Sequence, residues 1–138
     1  MERKKGFTLI ELMVVILIVS ILAGVAIPLM QGRIDAAKWS EANAAAGTIR
    51  TAIRAYFAER PTDAAALSGD MSDADNLADL GFSASDLTGT YFAPSNYTIT
   101  SVDGSSGIAV ITVTAGTGLS GSYQLNADGE WEKQAAEE

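Results

Sequence analysis

A run of apolar residues dominates the N-terminal part of the chain. Nothing between positions 12 and 30 is charged, and a helix over this run spans about 28 Å, close to the hydrocarbon thickness of a bilayer. One carboxylate, Glu11, stands at the start of the run. A carboxylate in hydrocarbon costs on the order of 3 kcal/mol and usually has a partner. The pattern predicts a membrane-spanning helix whose Glu11 must find a partner outside the run.

The helical pattern continues past the apolar run. Good helix formers follow it, and no proline interrupts them between Pro28 and Pro61, so we expect one helix over about residues 7–58. Pro28 lacks the N–H that would bond Gly24, which makes this turn the weak point of the helix and predicts a kink there. The predicted apolar face of the outer half consists of Ile34, Ala37, Ala45, Ile49, Ala52 or Ile53, and Tyr56. Tyr56 and Phe57 are expected to anchor the sheet.

The segment after Pro61 is small, polar and acidic. It predicts a short helix over residues 72–80, with Ser72 as N-cap and Gly81 as its C-terminal stop. Asp70, Asp73, Asp75 and Asp79 also raise a calcium hypothesis, since calcium takes several oxygen ligands. Their spacing does not match an EF-hand loop, and helix capping explains them better.

The last forty residues have the alternation of antiparallel strands. Segments 97–102 and 108–114 flank a Gly/Ser-rich turn, and segments 122–126 and 130–133 flank Ala127-Asp128-Gly129, a hairpin signal. Ala109, Ile111 and Val113 are predicted to share the buried face with Tyr123, Leu125 and Trp131. The predicted fold class is therefore α+β: a long N-terminal helix, half membrane-spanning and half amphipathic, packed on a small antiparallel sheet.

Composition excludes several functions. The chain carries a net charge of −8, and ten acids but no cation lie between Arg60 and Lys133, so the head offers no basic face for nucleic acid. It has no cysteine, hence no disulfide, and no histidine, the commonest general base. No catalytic set, phosphate loop or metal-ligand spacing is present. We expect neither an enzyme nor a cofactor, and no metal site.

Two alternative interpretations of the N-terminus are possible from its residues. Thr8-x-x-Glu11 fits a helix capping box, which satisfies Glu11 within its own chain. A secretory signal needs a shorter apolar stretch and a small-x-small cut site, whereas here the run continues beyond Ala26. Neither reading explains why three cations, Arg3, Lys4 and Lys5, precede Gly6-Phe7.

The first thirty residues closely resemble the N-terminus of type IV prepilins and of type II secretion pseudopilins. The matching features are the basic leader ending in Gly6, then Phe7-Thr8-Leu9-Ile10-Glu11, and Pro28 at the far end of the apolar run. The resemblance implies cleavage between Gly6 and Phe7 by a prepilin peptidase, which also N-methylates Phe7. It implies a filament in which Glu11 pairs with the Phe7 amine of a neighbouring subunit, and melting of the Gly24–Pro28 turn on assembly.

The resemblance divides the chain into a leader (1–6), a transmembrane and filament-core helix (7–30), an amphipathic helix (31–60) and a globular head (61–138). Its implied partners are other copies of the chain, the peptidase, the inner-membrane assembly machinery and, before assembly, membrane lipid. The implied location is the inner membrane for the precursor, then an extracellular pilus or a periplasmic pseudopilus.

Three functions fit these features. The first is a type IV pilus subunit, and the second is a major pseudopilin of type II secretion. The third is a monomeric, signal-anchored binding module, supported by the capping box alone. Major pseudopilins usually carry a calcium loop near the C-terminus, whereas Asp128, Glu130 and Glu132 alternate as in a strand. That difference favours the pilus subunit.

Overall fold

A computed structural model describes residues 6–135 of the chain. Its helices are α1 (Leu9–Glu59), α2 (Pro61–Ala64) and α3 (Ala74–Asp79), with short 3₁₀ turns at Ala84–Leu87 and Pro94–Asn96. Its strands are β1 (Gly69–Asp70), β2 (Tyr97–Val102), β3 (Ala109–Thr114), β4 (Ser122–Leu125) and β5 (Trp131–Gln134). The chain divides into two compact units between Ala37 and Lys38.

The first unit contains the N-terminal part of α1, which is helical from Leu9 onward and includes Pro28. Its large apolar side chains are exposed along the whole predicted membrane run, from Phe7 and Leu9 to Leu29 and Met30. The predicted long helix is confirmed, and its observed end at Glu59 lies one residue beyond the predicted end.

The second unit contains a five-stranded antiparallel sheet in the order β1-β2-β3-β4-β5. Consecutive strands are neighbours throughout, although the connection from β1 to β2 is long and contains α3 and both 3₁₀ turns. The β2–β3 turn closes with hydrogen bonds from the Asp103 N–H to the Ile108 carbonyl and from the Gly107 N–H to the Asp103 carbonyl, both 2.8 Å. A register shift between Ile99 and Ser101 marks an irregularity in β2. The predicted strands are confirmed to within one residue at each end, and the α+β fold class is confirmed with them.

Strand β1 was not predicted. It consists of two residues, Gly69 and Asp70, which pair with Ile99 and Thr98. Neither residue has a β-branched or aromatic side chain, so no local pattern indicates a strand. The Met71 N–H extends the contact by donating to the Tyr97 carbonyl at 2.9 Å.

The core of the second unit lies between α1 and one face of the sheet. The predicted buried residues Ala109, Ile111, Val113 and Leu125 are all buried, and Tyr123 and Trp131 pack against them while half-exposed. The predicted helix face is confirmed at Ile49 and Ile53, which are buried, and at Ala45, Ala52 and Tyr56, which are half-buried and pack against the core, but it omitted Trp39, Ala42 and Ala46. The buried residues of α1 are Trp39, Ala42, Ala46, Ile49 and Ile53.

The positions of the predicted helix face differ in how deeply they are buried. Ile34 and Ala37 are exposed in their own unit, and Ala45, Ala52, Tyr56 and Phe57 are only half-buried. The true buried positions step by three and four residues, as a helical stripe does. Four of the five have side chains no larger than isoleucine, and two of these are alanines, which lets the helix backbone come close to the sheet.

The short helix α3 is confirmed with one correction. Its N-cap is Asp73, whose carboxylate accepts the Asp75 N–H at 2.9 Å, and not Ser72. At its other end the Phe82 N–H donates to the Leu77 carbonyl at 2.8 Å and the Gly81 N–H donates to the Ala78 carbonyl at 3.2 Å. These two bonds form a Schellman motif, with Gly81 at φ +72° as predicted for a C-terminal stop.

Candidate functional site

The residues on either side of the predicted cut site, Gly6 and Phe7, are exposed. Gly6 and Phe7 precede α1, and the Phe7 side chain is 85% exposed. The peptide bond between them, the predicted cut site, therefore lies outside regular secondary structure. The leader cations Arg3, Lys4 and Lys5 lie outside the described residues.

Thr8 and Glu11 form a capping box at the start of α1. The Thr8 N–H and hydroxyl both donate to Oε2 of Glu11 at 2.8 Å, and the Glu11 N–H donates to Oγ1 of Thr8 at 3.3 Å. This pairing satisfies backbone donors that a helix start leaves free. Within a single chain, therefore, Glu11 has a local partner without any contact from another subunit.

The helix surface between Leu12 and Met30 carries no charge on any side. Among residues 6–135, α1 is the one helix long and apolar enough to cross a membrane, and its most apolar stretch is not buried inside the protein. The hydroxyl of Ser20, a polar group in the run, donates to the Ile16 carbonyl at 2.6 Å. Such a surface is stable only in lipid or against other apolar helices.

Gly24 and Pro28 both lie within α1. A Cβ added at Gly24 meets no other described atom within 4 Å, so the glycine is not required by packing in a single chain. Pro28 cannot donate a backbone hydrogen bond to the preceding turn. The predicted kink and the predicted melting at this turn remain predictions.

The acidic residues of the head serve local structure. Besides the Asp73 cap, a carboxylate oxygen of Asp70 accepts the Ser72 N–H at 2.6 Å. Asp86 closes a second capping box, accepting the Ser83 N–H at 2.7 Å, and this bond lowers the pKa of Asp86. Among the described residues no group of three or more carboxylates could hold a metal ion. The capping explanation of Asp73 is confirmed.

Two charged side chains of α1 hold loops of the head, and the sequence gives no local signal for either. Oε1 of Glu41 accepts the N–H groups of Tyr91 at 3.1 Å and of Phe92 at 3.4 Å. Its carboxylate lies so close to Gly89 that a Cβ there would collide with it. The Arg50 guanidinium donates to the Ala127 carbonyl in the β4–β5 turn. These partners lie at least 50 positions away in sequence, so a local sequence pattern cannot predict the contacts.

Burial and neighbouring charges both shift the pKa values of Arg50 and Tyr97. Burial lowers the pKa of Arg50, the like charge of Arg54 lowers it further, and Asp128 opposes both effects. Burial also raises the pKa of Tyr97 to about 12, with a further contribution from the Glu41 carboxylate. Tyr97 is thus a neutral core side chain at physiological pH.

Trp39 is the centre of an aromatic cluster. Its ring lies 4.5 Å from that of Tyr123, 5.2 Å from Phe92 and 6.4 Å from Trp131, measured between ring centroids. Tyr123 and Trp131 stack on each other at 5.3 Å. The sequence contained these aromatic residues, but their convergence depends on the sheet register, which brings Tyr123 and Trp131 to neighbouring strands.

Comparisons with known proteins agree with the N-terminal geometry. Residues 1–27 match the prokaryotic N-terminal methylation motif. The chain is similar to fimbrial protein EcpC of Eikenella corrodens, at 43% identity over 68 residues that cover 47% of this chain and 44% of the relative. It is similar to a fimbrial protein of Moraxella nonliquefaciens, at 51% identity over 53 residues, covering 38% and 34% of the two chains.

A longer match is to the type IV major pilin protein PilE1 of Neisseria gonorrhoeae, at 40% identity over 88 residues, covering 64% of this chain and 37% of the relative. The chain therefore spans less than half the length of each of these relatives. No solved structure matches the chain. Together the methylation motif and the fimbrial relatives confirm that the N-terminal part of this chain is similar to that of type IV fimbrial and pilin proteins.

Proposed function

We propose that this chain is the structural subunit of a type IV pilus filament, polymerised through its N-terminal helix. The observation that carries the proposal is the exposed apolar surface of α1, preceded directly by the methylation motif. An apolar helix surface of this length needs lipid before assembly and neighbouring helices afterwards. The relatives named as fimbrial proteins and major pilins support a pilus over a secretion pseudopilus.

Processing begins at the membrane in this proposal. The cations Arg3, Lys4 and Lys5 keep the leader cytoplasmic and direct the head across the inner membrane. A prepilin peptidase cleaves between Gly6 and Phe7 and methylates the new Phe7 amine. The exposed, non-helical position of these two residues is compatible with entry into a peptidase site. The mature subunit then leaves the bilayer for an extracellular filament.

The role proposed for Glu11 is to pair with the Phe7 amine of a neighbouring subunit. The capping box already satisfies this carboxylate in the single chain, which lowers the penalty for holding it in lipid. Cleavage creates a new amine on Phe7, four residues from Glu11, and an amine in an apolar helix bundle needs a carboxylate partner. Desolvation offsets much of the attraction in such a pair, so its main effect is to fix subunit register, whereas an unpaired buried charge is costly.

The remaining parts of the proposal follow the expected division of the chain. Residues 7–30 form the filament core, 31–60 the amphipathic helix, and 61–138 the head displayed on the outside. The Gly24–Pro28 turn, which lacks one backbone hydrogen bond, melts when the helix moves from lipid into the filament. A monomeric binding module is the second candidate, because the capping box gives Glu11 a role that needs no other subunit.

Substitutions at Glu11 and Thr8 separate the two candidates. Filaments are sheared from cells that produce the unmodified chain, Glu11→Ala, Glu11→Gln or Thr8→Ala, and the chain left in the membrane is measured alongside. The filament proposal predicts that Glu11→Ala is inserted and cleaved but assembles poorly, and that Glu11→Gln is affected less. Thr8→Ala removes the cap and keeps the charge, so it should assemble better than Glu11→Ala.

The control is Glu59→Ala, which removes an exposed carboxylate at the other end of α1. It should assemble normally. If Glu11→Ala yields the filaments of the unmodified chain, or if it behaves only as Thr8→Ala does, then Glu11 is a helix cap alone and the proposed pairing is wrong.

A further inference from the structure

The charges of the second unit are unevenly distributed, although α1 also carries Glu41 and Glu59 and β5 carries both Glu132 and Lys133. All the cations between positions 38 and 60 lie on or directly after α1: Lys38, Arg50, Arg54 and Arg60. Residues 61–90, which contain α2, β1 and α3, have six aspartates and no cation. Segregation of this kind leaves one surface positive and another negative, which favours contact between copies of the same chain.

The positive surface is the outer side of α1 around Arg50 and Arg54. The two arginines are one helical turn apart, and the pKa of Arg50 is lowered mainly by burial and further by the like charge of Arg54. Arg50 is held by the β4–β5 turn, whereas Arg54 is exposed. Its exposed neighbours Thr51 and Ala55 are small, and the Thr51 hydroxyl is bonded to the Gly47 carbonyl at 2.9 Å. Another chain can therefore approach this turn closely.

The negative surface is the outer side of α3. Its exposed residues are Ala74, Asp75, Ala78 and Asp79, while Leu77 and Leu80 point into the core. Asp75 and Asp79 are four residues apart, so their separation along the helix is about 6 Å. Arg50 and Arg54 have the same separation. Both surfaces thus present two like charges at one spacing, flanked by small residues.

Within one chain, Arg50 responds to charges other than those of α3. The charges that act on Arg50 are those of Arg54 and Asp128, and none from α3 is among them. The interaction with the Tyr56 side chain is the main cause that raises the pKa of Arg60, and Asp79 and Asp63 add smaller contributions. Asp75 and Arg54 are the charges best placed to meet a second copy.

We infer that, in the filament, the Arg50–Arg54 surface of one subunit contacts the Asp75–Asp79 surface of a neighbouring subunit. This inference rests on the proposed function. Exposed ion pairs contribute at most about 1 kcal/mol each. The contact therefore selects the relative orientation of neighbouring heads and adds little to the strength of the helix core.

The chain has no cysteine, so introduced cysteines report this contact without background. The full chain carrying Arg54→Cys and Asp75→Cys is produced in cells, and sheared filaments are oxidised and run on a non-reducing gel. A bond within one chain leaves a monomer, whereas a bond between chains gives dimers and longer ladders. We expect ladders from the double variant. The control pairs Arg54→Cys with Asp103→Cys, an exposed aspartate in the β2–β3 turn, and each single variant is run beside them.

Charge reversal provides a second measurement. Arg54→Glu should lower the yield of filaments about two- to fivefold, the change that corresponds to a lost exposed pair plus repulsion. Adding Asp75→Arg to this variant should restore the yield, and adding Asp103→Arg should not. This inference is wrong if filaments form normally, the double-cysteine variant gives no ladders above the controls, and Asp75→Arg does not restore the yield of Arg54→Glu. The proposed function would still stand in that case. Absence of filaments from the unmodified chain overturns both.

Discussion

Gly107 tests the packing of α1 against the β2–β3 turn. This buried glycine has φ +67°, and a Cβ built on it lies 2.5 Å from Cγ and 2.7 Å from Cβ of Phe57. Gly107→Ala therefore adds two penalties. A left-handed backbone costs a non-glycine residue about 1 kcal/mol, and forcing a methyl group into packed atoms costs about 1–3 kcal/mol. The sum is about 2–4 kcal/mol.

Gly81→Ala separates the two penalties. Gly81 has φ +72°, but a Cβ there meets no other described atom within 4 Å. Its substitution should cost about 1 kcal/mol, the backbone penalty alone. Gly104→Ala is a further control, because Gly104 has no positive φ and its added Cβ meets only Ala65 Cβ, at 3.2 Å.

The assay is thermal unfolding of a soluble fragment that begins at Gln31, followed by circular dichroism. One kcal/mol corresponds to about 4 °C for a domain of this size. We expect Gly81→Ala to lower Tm by about 4 °C and Gly107→Ala by about 8–16 °C. If Gly107→Ala costs no more than Gly81→Ala, the Phe57 ring does not lie over this turn, and the described packing of the helix end is wrong.

Three other predictions concern the same fragment. Trp39→Ala should destabilise it by about 3–5 kcal/mol, since the side chain is 6% exposed and contacts three other rings, whereas Ser40→Ala at the exposed neighbouring position should change stability by less than about 0.5 kcal/mol. Arg50→Met should lower the free energy of unfolding by about 1–2 kcal/mol, because the Ala127 carbonyl loses its donor, and urea titration measures the loss. Tyr97 has a folded pKa of about 12 against an ordinary 10.0. Its contribution to the free energy of unfolding is therefore complete below pH 10 and is lost as the pH rises through 12. Tyr97→Phe should flatten the pH dependence of the free energy of unfolding over that interval.

The sequence predicted those features whose signals are local. The long helix follows from helix formers without an interrupting proline, and α3 from its cap and glycine stop. Alternation of β-branched residues predicted β2 and β3 almost to the residue. The observed N-cap of α3 is one position after the predicted one, because Ser72 and Asp73 can both cap a helix and only the backbone geometry decides between them.

The helix face illustrates what a pattern cannot resolve. Alanine is frequent on every side of α1 between positions 36 and 58, so apolar contrast is weak and several faces fit equally well. The buried stripe is decided by the sheet, which accepts Ala42 and Ala46 at close distance and places Trp39 beside Phe92 and Tyr123. Strand β1 and the two loop contacts of Glu41 and Arg50 likewise depend on distant partners.

For the candidate site, the sequence supplied the residues and the structure supplied one arrangement of them. Thr8 and Glu11 lie three positions apart, which is enough to predict the capping box that the structure forms. Pairing of Glu11 with another subunit depends on a second chain and on a cleaved amine. A single uncleaved chain contains neither, so that role stays a prediction.

The most direct test of the central claim is the intact mass of the subunit in filaments sheared from cells. The proposed function predicts that this chain is the main component, that it begins at Phe7, and that its N-terminal amine carries one methyl group. A chain that retains Met1 in assembled filaments, a cut near Ala26, or the absence of this chain from the filaments would contradict it.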